Sequence, residues 1–133
     1  MVAISTLKAK IKADFPHLNL KDGARFSFKP PKTVIIGPEQ PNSSLLLLHE
    51  VGHALLGHNN FDTDVERLKI ERAAWDKAAE LCQKYQIEYD EDFVEDQLDS
   101  YRNWLHQKSK CPKCGLTRFQ TKDEKYHCPR CDL

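Results

Sequence analysis

The stretch that decides the fold runs from Leu45 to His58 and reads LLLLHEVGHALLGH. Apolar residues on both sides of its polar centre predict a helix that is buried on nearly all sides. The centre is an H-E-x-x-H pattern that begins at His49 and ends at His53. Residues at this spacing lie one helical turn apart on the same face. The pattern therefore predicts two imidazoles that can bind one metal ion together.

The glutamate of this pattern, Glu50, adds a chemical function to the predicted metal site. Histidines at this spacing bind zinc in metalloproteases, where the glutamate acts as general base on a metal-bound water. Because the pattern is short, an ordinary buried helix with a hydrogen-bonded histidine pair is the alternative. The apolar helix, a candidate third ligand and a separate cysteine cluster favour zinc.

A second long helix is predicted over residues 62–86, and Glu71 lies in the middle of its apolar side. At about 100° per residue, the apolar residues fall within about 60° of Glu71. They are Leu68, Ala74, Trp75, Ala78, Cys82 and Tyr85. Since burying an unpaired carboxylate is costly, we predict Glu71 as the third zinc ligand. The alternative is that it pairs with an arginine or caps a backbone group. Asp64, on the same face two turns earlier, is the reserve ligand.

His58 is a further histidine close to the motif, and its spacing argues against a role as ligand. It follows His49 by nine residues, which is about 180° around a continuing helix. Gly57, just before it, is a typical C-terminal stop of a helix. We therefore expect His58 to be a loop or capping residue.

Four of the five cysteines form two C-x-x-C pairs near the C-terminus. Thirteen residues separate the pair Cys111 and Cys114 from the pair Cys128 and Cys131, which is typical of a four-thiolate structural zinc site. So short a tail cannot build its own core, so zinc should supply much of its folding free energy. The fifth cysteine, Cys82, is predicted to be a small buried residue and not a nucleophile.

The C-terminal tail is also basic, with seven basic and three acidic residues from position 108 onward. Two interpretations stay open, a purely structural staple or a surface that binds nucleic acid or a partner protein. The basic and aromatic residues of such a surface would be Lys113, Arg118, Phe119, Lys122, Lys125, Tyr126 and Arg130.

The remaining elements predict an α+β class. A first helix should end before Pro16, two short strands should cover residues 25–28 and 33–36, and a last helix residues 90–108. With 20 basic and 20 acidic residues, the overall charge does not point to nucleic acid. The sequence predicts no signal peptide and no membrane partner, because no apolar run is long enough. Paired cysteines of this kind suit a reducing compartment, so we expect a cytoplasmic protein.

The stretch from about Thr33 to Ala79 resembles the ImmA/IrrE-family metallopeptidases. The resemblance rests on LLLLHEVGHALLGH and on ERAAWDKA from Glu71 to Ala78, although Lys77 replaces a usual aromatic residue. It implies a minimal gluzincin domain, in which a glutamate on a later helix completes the zinc site. The two motif histidines and Glu71 would then be ligands, and the motif glutamate the general base. The family also implies a protein substrate, such as a DNA-binding repressor or antitoxin.

The sequence thus predicts a zincin-like domain over residues 1–107 and a zinc ribbon over residues 108–133. We expect a zinc-dependent endopeptidase with one catalytic and one structural zinc ion. The alternative is a non-catalytic zinc-binding module that binds nucleic acid or a partner protein through the ribbon.

Overall fold

The computed structural model describes residues 3–58, 63–123 and 125–132. Over these residues the chain is an α+β structure, as predicted. Its helices are α1 Ile4–Asp14, α2 Ser43–Leu55, α3 Asp64–Tyr85 and α4 Glu91–Ser109. Its strands are β1 Asn19–Asp22, β2 Ser27–Lys29, β3 Thr33–Ile36, β4 Phe119–Gln120 and β5 Tyr126–His127. The helix predicted from residue 62 begins at Asp64, and Asp62 lies outside the described residues.

Strand β3 is the centre of a three-stranded sheet in the order β1-β3-β2. Its β-branched residues suit a covered strand, and Val34 and Ile36 are buried. The neighbouring β1 runs parallel to it, and β2 runs antiparallel with Phe28 opposite Val34. The sequence predicted β2 and β3 but not β1. That strand is a mostly exposed edge with only one apolar residue, Leu20, so it lacks the alternation that marks a strand.

Helix α2 packs against β2, β3 and α1 and is buried on nearly all sides, as predicted. Its leucines Leu45, Leu47 and Leu48 are almost fully buried. The residue before the helix, Asn42, has a left-handed backbone with φ of 65°, and its side chain does not cap the helix. The apolar contacts therefore hold the H-E-x-x-H motif in the interior.

The described residues fall into two compact units, and α3 contributes to both of them. The first unit comprises residues 3–58 and 72–90, with α1, the three-stranded sheet, α2 and most of α3. The second comprises residues 63–71 and 91–132, with the start of α3, α4 and the cysteine-rich tail. The domain boundary between residues 107 and 108 stays a prediction. Within the described residues, no helix is long and apolar enough to cross a membrane.

Candidate metal centres

The two motif histidines lie side by side in the interior of the first unit. His49 and His53 are 5% and 6% exposed, and their ring centroids are 4.7 Å apart in an edge-to-face arrangement. His49 stacks on Trp75 of α3 at 4.0 Å, and His53 stacks on Phe28 of β2 at 5.8 Å. Each imidazole therefore has an aromatic neighbour that limits its rotation, which favours a preformed site.

The glycine inside the motif, Gly52, allows α2 and α3 to approach closely. A Cβ atom at this position would lie 2.7 Å from the backbone oxygen of Ala74 and 3.4 Å from Cβ of Lys77. A backbone oxygen at that distance cannot move aside as a side chain can. The second x position of the H-E-x-x-H pattern, Gly52, is thus constrained here by helix packing.

The predicted third ligand lies close to the histidine pair. The donor atoms of His49, His53 and Glu71 all lie within 4.8 Å of one another, and Glu71 is half-buried. Tetrahedral zinc with bonds of about 2.1 Å separates its ligand atoms by about 3.4 Å. The three groups are close enough to reach one ion, and two imidazoles with one carboxylate are a donor set that catalytic zinc accepts. These residues fit a zinc ion.

The predicted general base, Glu50, lies next to this cluster with its side chain 13% exposed. Its Oε1 atom is 3.7 Å from Nε2 of His49. A carboxylate near that nitrogen can reach a water at the same ion. The arrangement can therefore combine metal binding with proton transfer.

His58 lies after the end of α2, so it is a loop residue, as predicted. Its ring nevertheless contacts the second motif histidine, because His58 Nδ1 lies 2.9 Å from His53 Nδ1. Helical spacing did not predict this contact, because it arises where the chain turns back after the helix stop at Gly57. The Gly-His pair at the helix end was the signal for this contact.

The four paired cysteines of the tail come together in the second unit. Sγ of Cys111 is 3.9 Å from Sγ of Cys131, and Sγ of Cys114 is 3.6 Å from Sγ of Cys128. Zn–S bonds of about 2.3 Å in a tetrahedron place sulfurs about 3.8 Å apart. The four thiols are therefore spaced for one zinc ion, and the short hairpin of β4 and β5 lies between the two pairs.

The local backbone supports ionisation at one of these thiols. Backbone N–H groups of Cys114 and Lys113 lower the pKa of Cys111 to about 6. Hydrogen bonds with the neighbouring sulfurs of Cys114 and Cys128 raise the pKa of Cys131 to about 12. Four thiolates this close repel one another, so a cation is needed to hold them all deprotonated.

Asp64, the reserve ligand, has a different role at the start of α3. Its buried carboxylate accepts a hydrogen bond from Tyr126 at 2.7 Å and pairs with Lys108 at 2.9 Å. Burial acts to raise the pKa of Asp64, but the hydrogen bonds from Tyr126 and Lys108 outweigh it and lower the pKa. Among the described residues the histidine cluster includes Glu71 and not Asp64. Asp64 instead joins α3, α4 and the tail within the second unit.

Two of the seven residues predicted for a binding surface on the tail, Arg118 and Tyr126, are half-buried and contact each other inside the second unit. Arg118 donates a hydrogen bond to the backbone oxygen of Lys108 at 2.7 Å and covers the ring of Tyr126. The remaining five are exposed, and Phe119 is 55% exposed. They are Lys113, Phe119, Lys122, Lys125 and Arg130.

The fifth cysteine is buried in the first unit, as predicted. Cys82 is 2% exposed, and burial raises the pKa of its thiol to about 11. A protonated, covered thiol is a poor nucleophile.

No family model matches the chain, and no curated protein or solved structure matches it significantly. The case for a function therefore comes from the two candidate metal centres themselves.

Proposed function

We propose that this protein is a zinc-dependent endopeptidase with a zincin-like fold, related to the ImmA/IrrE family that its motifs resemble. The observation that carries the proposal is the convergence of His49, His53 and Glu71, with Glu50 beside the first histidine. A site that only stabilises a fold needs no carboxylate poised next to its ligands. Glu50 therefore favours catalysis over a structural role.

The roles of the residues follow from their chemistry. Bound zinc would supply a Lewis acid that polarises the peptide carbonyl and lowers the pKa of a water. Glu50 accepts the proton of the attacking water and returns it to the leaving amine. Trp75 and Phe28 hold the imidazoles in place by stacking. The carboxylate of Glu71 offsets part of the positive charge of the ion.

The test of this proposal separates zinc binding from peptide cleavage. Glu50→Gln keeps the shape of the side chain but removes the base, so we expect two zinc ions per chain and no cleavage. The control is Glu88→Gln, which changes an exposed glutamate outside the helices. Zinc is counted by elemental analysis, and cleavage is followed by mass spectrometry of a peptide library. Wild-type cleavage rates in Glu50→Gln would refute the proposed mechanism.

The cysteine cluster completes this proposal as a structural centre. Zinc held by Cys111, Cys114, Cys128 and Cys131 would stabilise a zinc ribbon that has only two short strands of its own. A four-thiolate site has no open position for water and so serves folding rather than catalysis. Because such thiolates persist in a reducing compartment, we propose a cytoplasmic protein. A DNA-binding regulator is the protein substrate that the resemblance suggests.

A second candidate function, a non-catalytic module that binds nucleic acid, is supported by the exposed Phe119 among exposed lysines. Bases can stack on such a ring while basic side chains contact phosphates. The test is binding of the full-length protein to single-stranded DNA at several salt concentrations. Phe119→Ala should weaken binding, and Leu116→Ala, which changes another exposed apolar residue of the tail, is the control. Absence of binding at low salt would exclude this candidate, as would equal effects of the two variants.

A further inference from the structure

The end of α2 forms a specific backbone motif that brings His58 back toward the helix. The backbone N–H of Gly57 donates to the oxygen of Ala54, and that of His58 donates to the oxygen of His53. These two bonds define a Schellman motif, in which the glycine has a left-handed backbone, and φ of Gly57 is +68°. In this motif, the side chain of the residue after the glycine usually contacts a residue in the last turn of the helix, the one whose backbone oxygen accepts its N–H. Here those two residues are both histidines.

The contact between these histidines is a hydrogen bond between two ring nitrogens. Their Nδ1 atoms are 2.9 Å apart, with ring centroids at 5.1 Å and planes at 66°. Two ring nitrogens at this distance share one proton, so one ring donates N–H and the other accepts with its lone pair. If His53 donates from Nδ1, its Nε2 atom carries the lone pair that a metal requires.

We infer that His58 is a positioning residue for the metal centre. It accepts a hydrogen bond from Nδ1–H of His53, and this leaves the lone pair on Nε2 of His53 as the ligand. This inference rests on the proposed zinc site. Ligand histidines commonly donate their second ring nitrogen to an acceptor, which fixes the tautomer and ring orientation. The acceptor here is another imidazole, and the turn that ends the helix places it beside His53.

The same geometry argues against His58 as a direct ligand. A metal ion between the two Nδ1 atoms would hold them about 3.4 Å apart, whereas 2.9 Å is a hydrogen-bond length. Among the described residues, the donor group that can hold an ion contains His49, His53 and Glu71, without His58. His58 therefore acts through His53.

The test compares zinc affinity in three variants of the full-length protein, measured by competition with a chromogenic chelator. His58→Ala should weaken the histidine-glutamate site about 10- to 100-fold, the usual effect of losing such a partner. The cysteine site should keep its affinity and so serve as an internal control. His58→Asn should restore most of the affinity, because Oδ1 of asparagine can accept where Nδ1 of histidine did. His17→Ala, at an exposed histidine of the first unit, should have no effect.

A spectroscopic measurement tests the hydrogen bond without any variant. In the zinc-loaded wild-type protein, nitrogen-15 NMR should show His53 protonated at Nδ1, with a scalar coupling across the bond to Nδ1 of His58. A deprotonated Nδ1 on His53, or the absence of this coupling, would overturn the inference even if His58→Ala failed to fold.

The outcomes separate this inference from the proposed function. One zinc ion per wild-type chain would overturn the proposed metallopeptidase, and the role of His58 with it. Two zinc ions in wild type with unchanged affinity in His58→Ala would overturn only the role of His58.

Discussion

The indole of Trp75 lies against the imidazole of His49, with ring centroids 4.0 Å apart and planes 23° apart. Trp75 is 3% exposed, so the pair is shielded from water. The indole also blocks one face of the imidazole and limits the orientations of its ring. One residue of α3 thus contributes both to the core and to the candidate metal centre.

Replacement of Trp75 should therefore affect folding and zinc binding together. We expect Trp75→Ala to lower the free energy of unfolding by about 3–5 kcal/mol, because it leaves a large cavity. It should also lower zinc affinity at the histidine site, since His49 gains rotational freedom. Trp75→Phe should retain more of both, because it keeps an aromatic face. Urea unfolding and chelator competition measure the two effects.

Trp104→Phe is the control for this prediction, because Trp104 is 38% exposed and lies in the second unit. Arg67 and Lys108 lie over the ring of Trp104. An exposed cation–π contact is worth about 0.5–1 kcal/mol, so Trp104→Phe, which keeps an aromatic face, should cost about 2 kcal/mol at most. Equal loss of zinc affinity in the two tryptophan variants would contradict the role assigned to Trp75.

Gly52 provides a test of the close packing between α2 and α3. The added methyl group of Gly52→Ala would collide with the backbone oxygen of Ala74, so the two helices must separate. We expect a loss of about 1–3 kcal/mol in stability, typical of an overpacked core. In a solvent-exposed helix the same change would stabilise, because alanine is the better helix former.

Zinc affinity at the histidine site should fall with this loss, because the displaced α2 carries both histidines. Gly57→Ala is the comparison for Gly52→Ala. A Cβ atom at Gly57 would meet no neighbour within 4 Å, so only the left-handed backbone disfavours alanine there. A Gly52→Ala protein as stable as wild type would show that the helices are farther apart in solution.

The sequence predicted those parts of the candidate site that depend on local periodicity. Helical spacing correctly predicted the burial of α2 and of the α3 residues Ala74, Ala78 and Tyr85. It also indicated Glu71, because a carboxylate within an apolar stripe needs a partner. These inferences require only the number of residues per turn of an α-helix.

Features that depend on the chain leaving a regular element were missed. The contact of His58 requires the reversal at Gly57, and the exposed edge strand β1 depends on pairing with β3. Asp64 shares the helical face of Glu71, yet its partners Lys108 and Tyr126 come from distant sequence. Spacing alone cannot supply such long-range contacts.

Glu71 is the predicted ligand whose role zinc stoichiometry can test directly. Wild type should bind two zinc ions and Glu71→Ala only one, because two histidines without the carboxylate hold zinc weakly. Asp64→Asn should still bind two, since that carboxylate pairs with Tyr126 and Lys108. Elemental analysis after dialysis gives the counts. Two ions in Glu71→Ala would require another third ligand, and one ion in wild type would leave only the cysteine site.

The hydrogen bond between Tyr85 and Asp14 predicts a pH-dependent contribution to stability in the first unit. The Tyr85 hydroxyl donates to the Asp14 carboxylate at 2.7 Å, and Lys84 lies 3.4 Å from the same oxygen. The hydrogen bond from Tyr85 lowers the pKa of Asp14, and the positive charge of Lys84 adds to this effect. Burial and the Asp14 carboxylate in turn raise the pKa of Tyr85.

A lowered pKa in the folded state means that the unfolded chain binds more protons in the acidic range. The stabilisation from Asp14 is therefore complete above the unfolded pKa of about 3.9 and is lost as pH falls through the lower folded value. Tyr85→Phe should raise the pKa of Asp14 toward its ordinary value. Its destabilising effect should be largest at neutral pH and smaller in acid. Carboxyl carbon-13 NMR measures the pKa, and urea unfolding of metal-free protein measures the stability.

Tyr126→Phe is the matched control, because its hydroxyl donates to Asp64 in the second unit. Each tyrosine replacement should raise the pKa of its own aspartate and leave the other unchanged, since the hydrogen bond acts only on the carboxylate that accepts it. An Asp14 pKa that does not respond to Tyr85→Phe would mean that the positive charges of Lys84 and Lys10 hold the pKa of the carboxylate low. The stability of that variant would then show the same pH dependence as wild type.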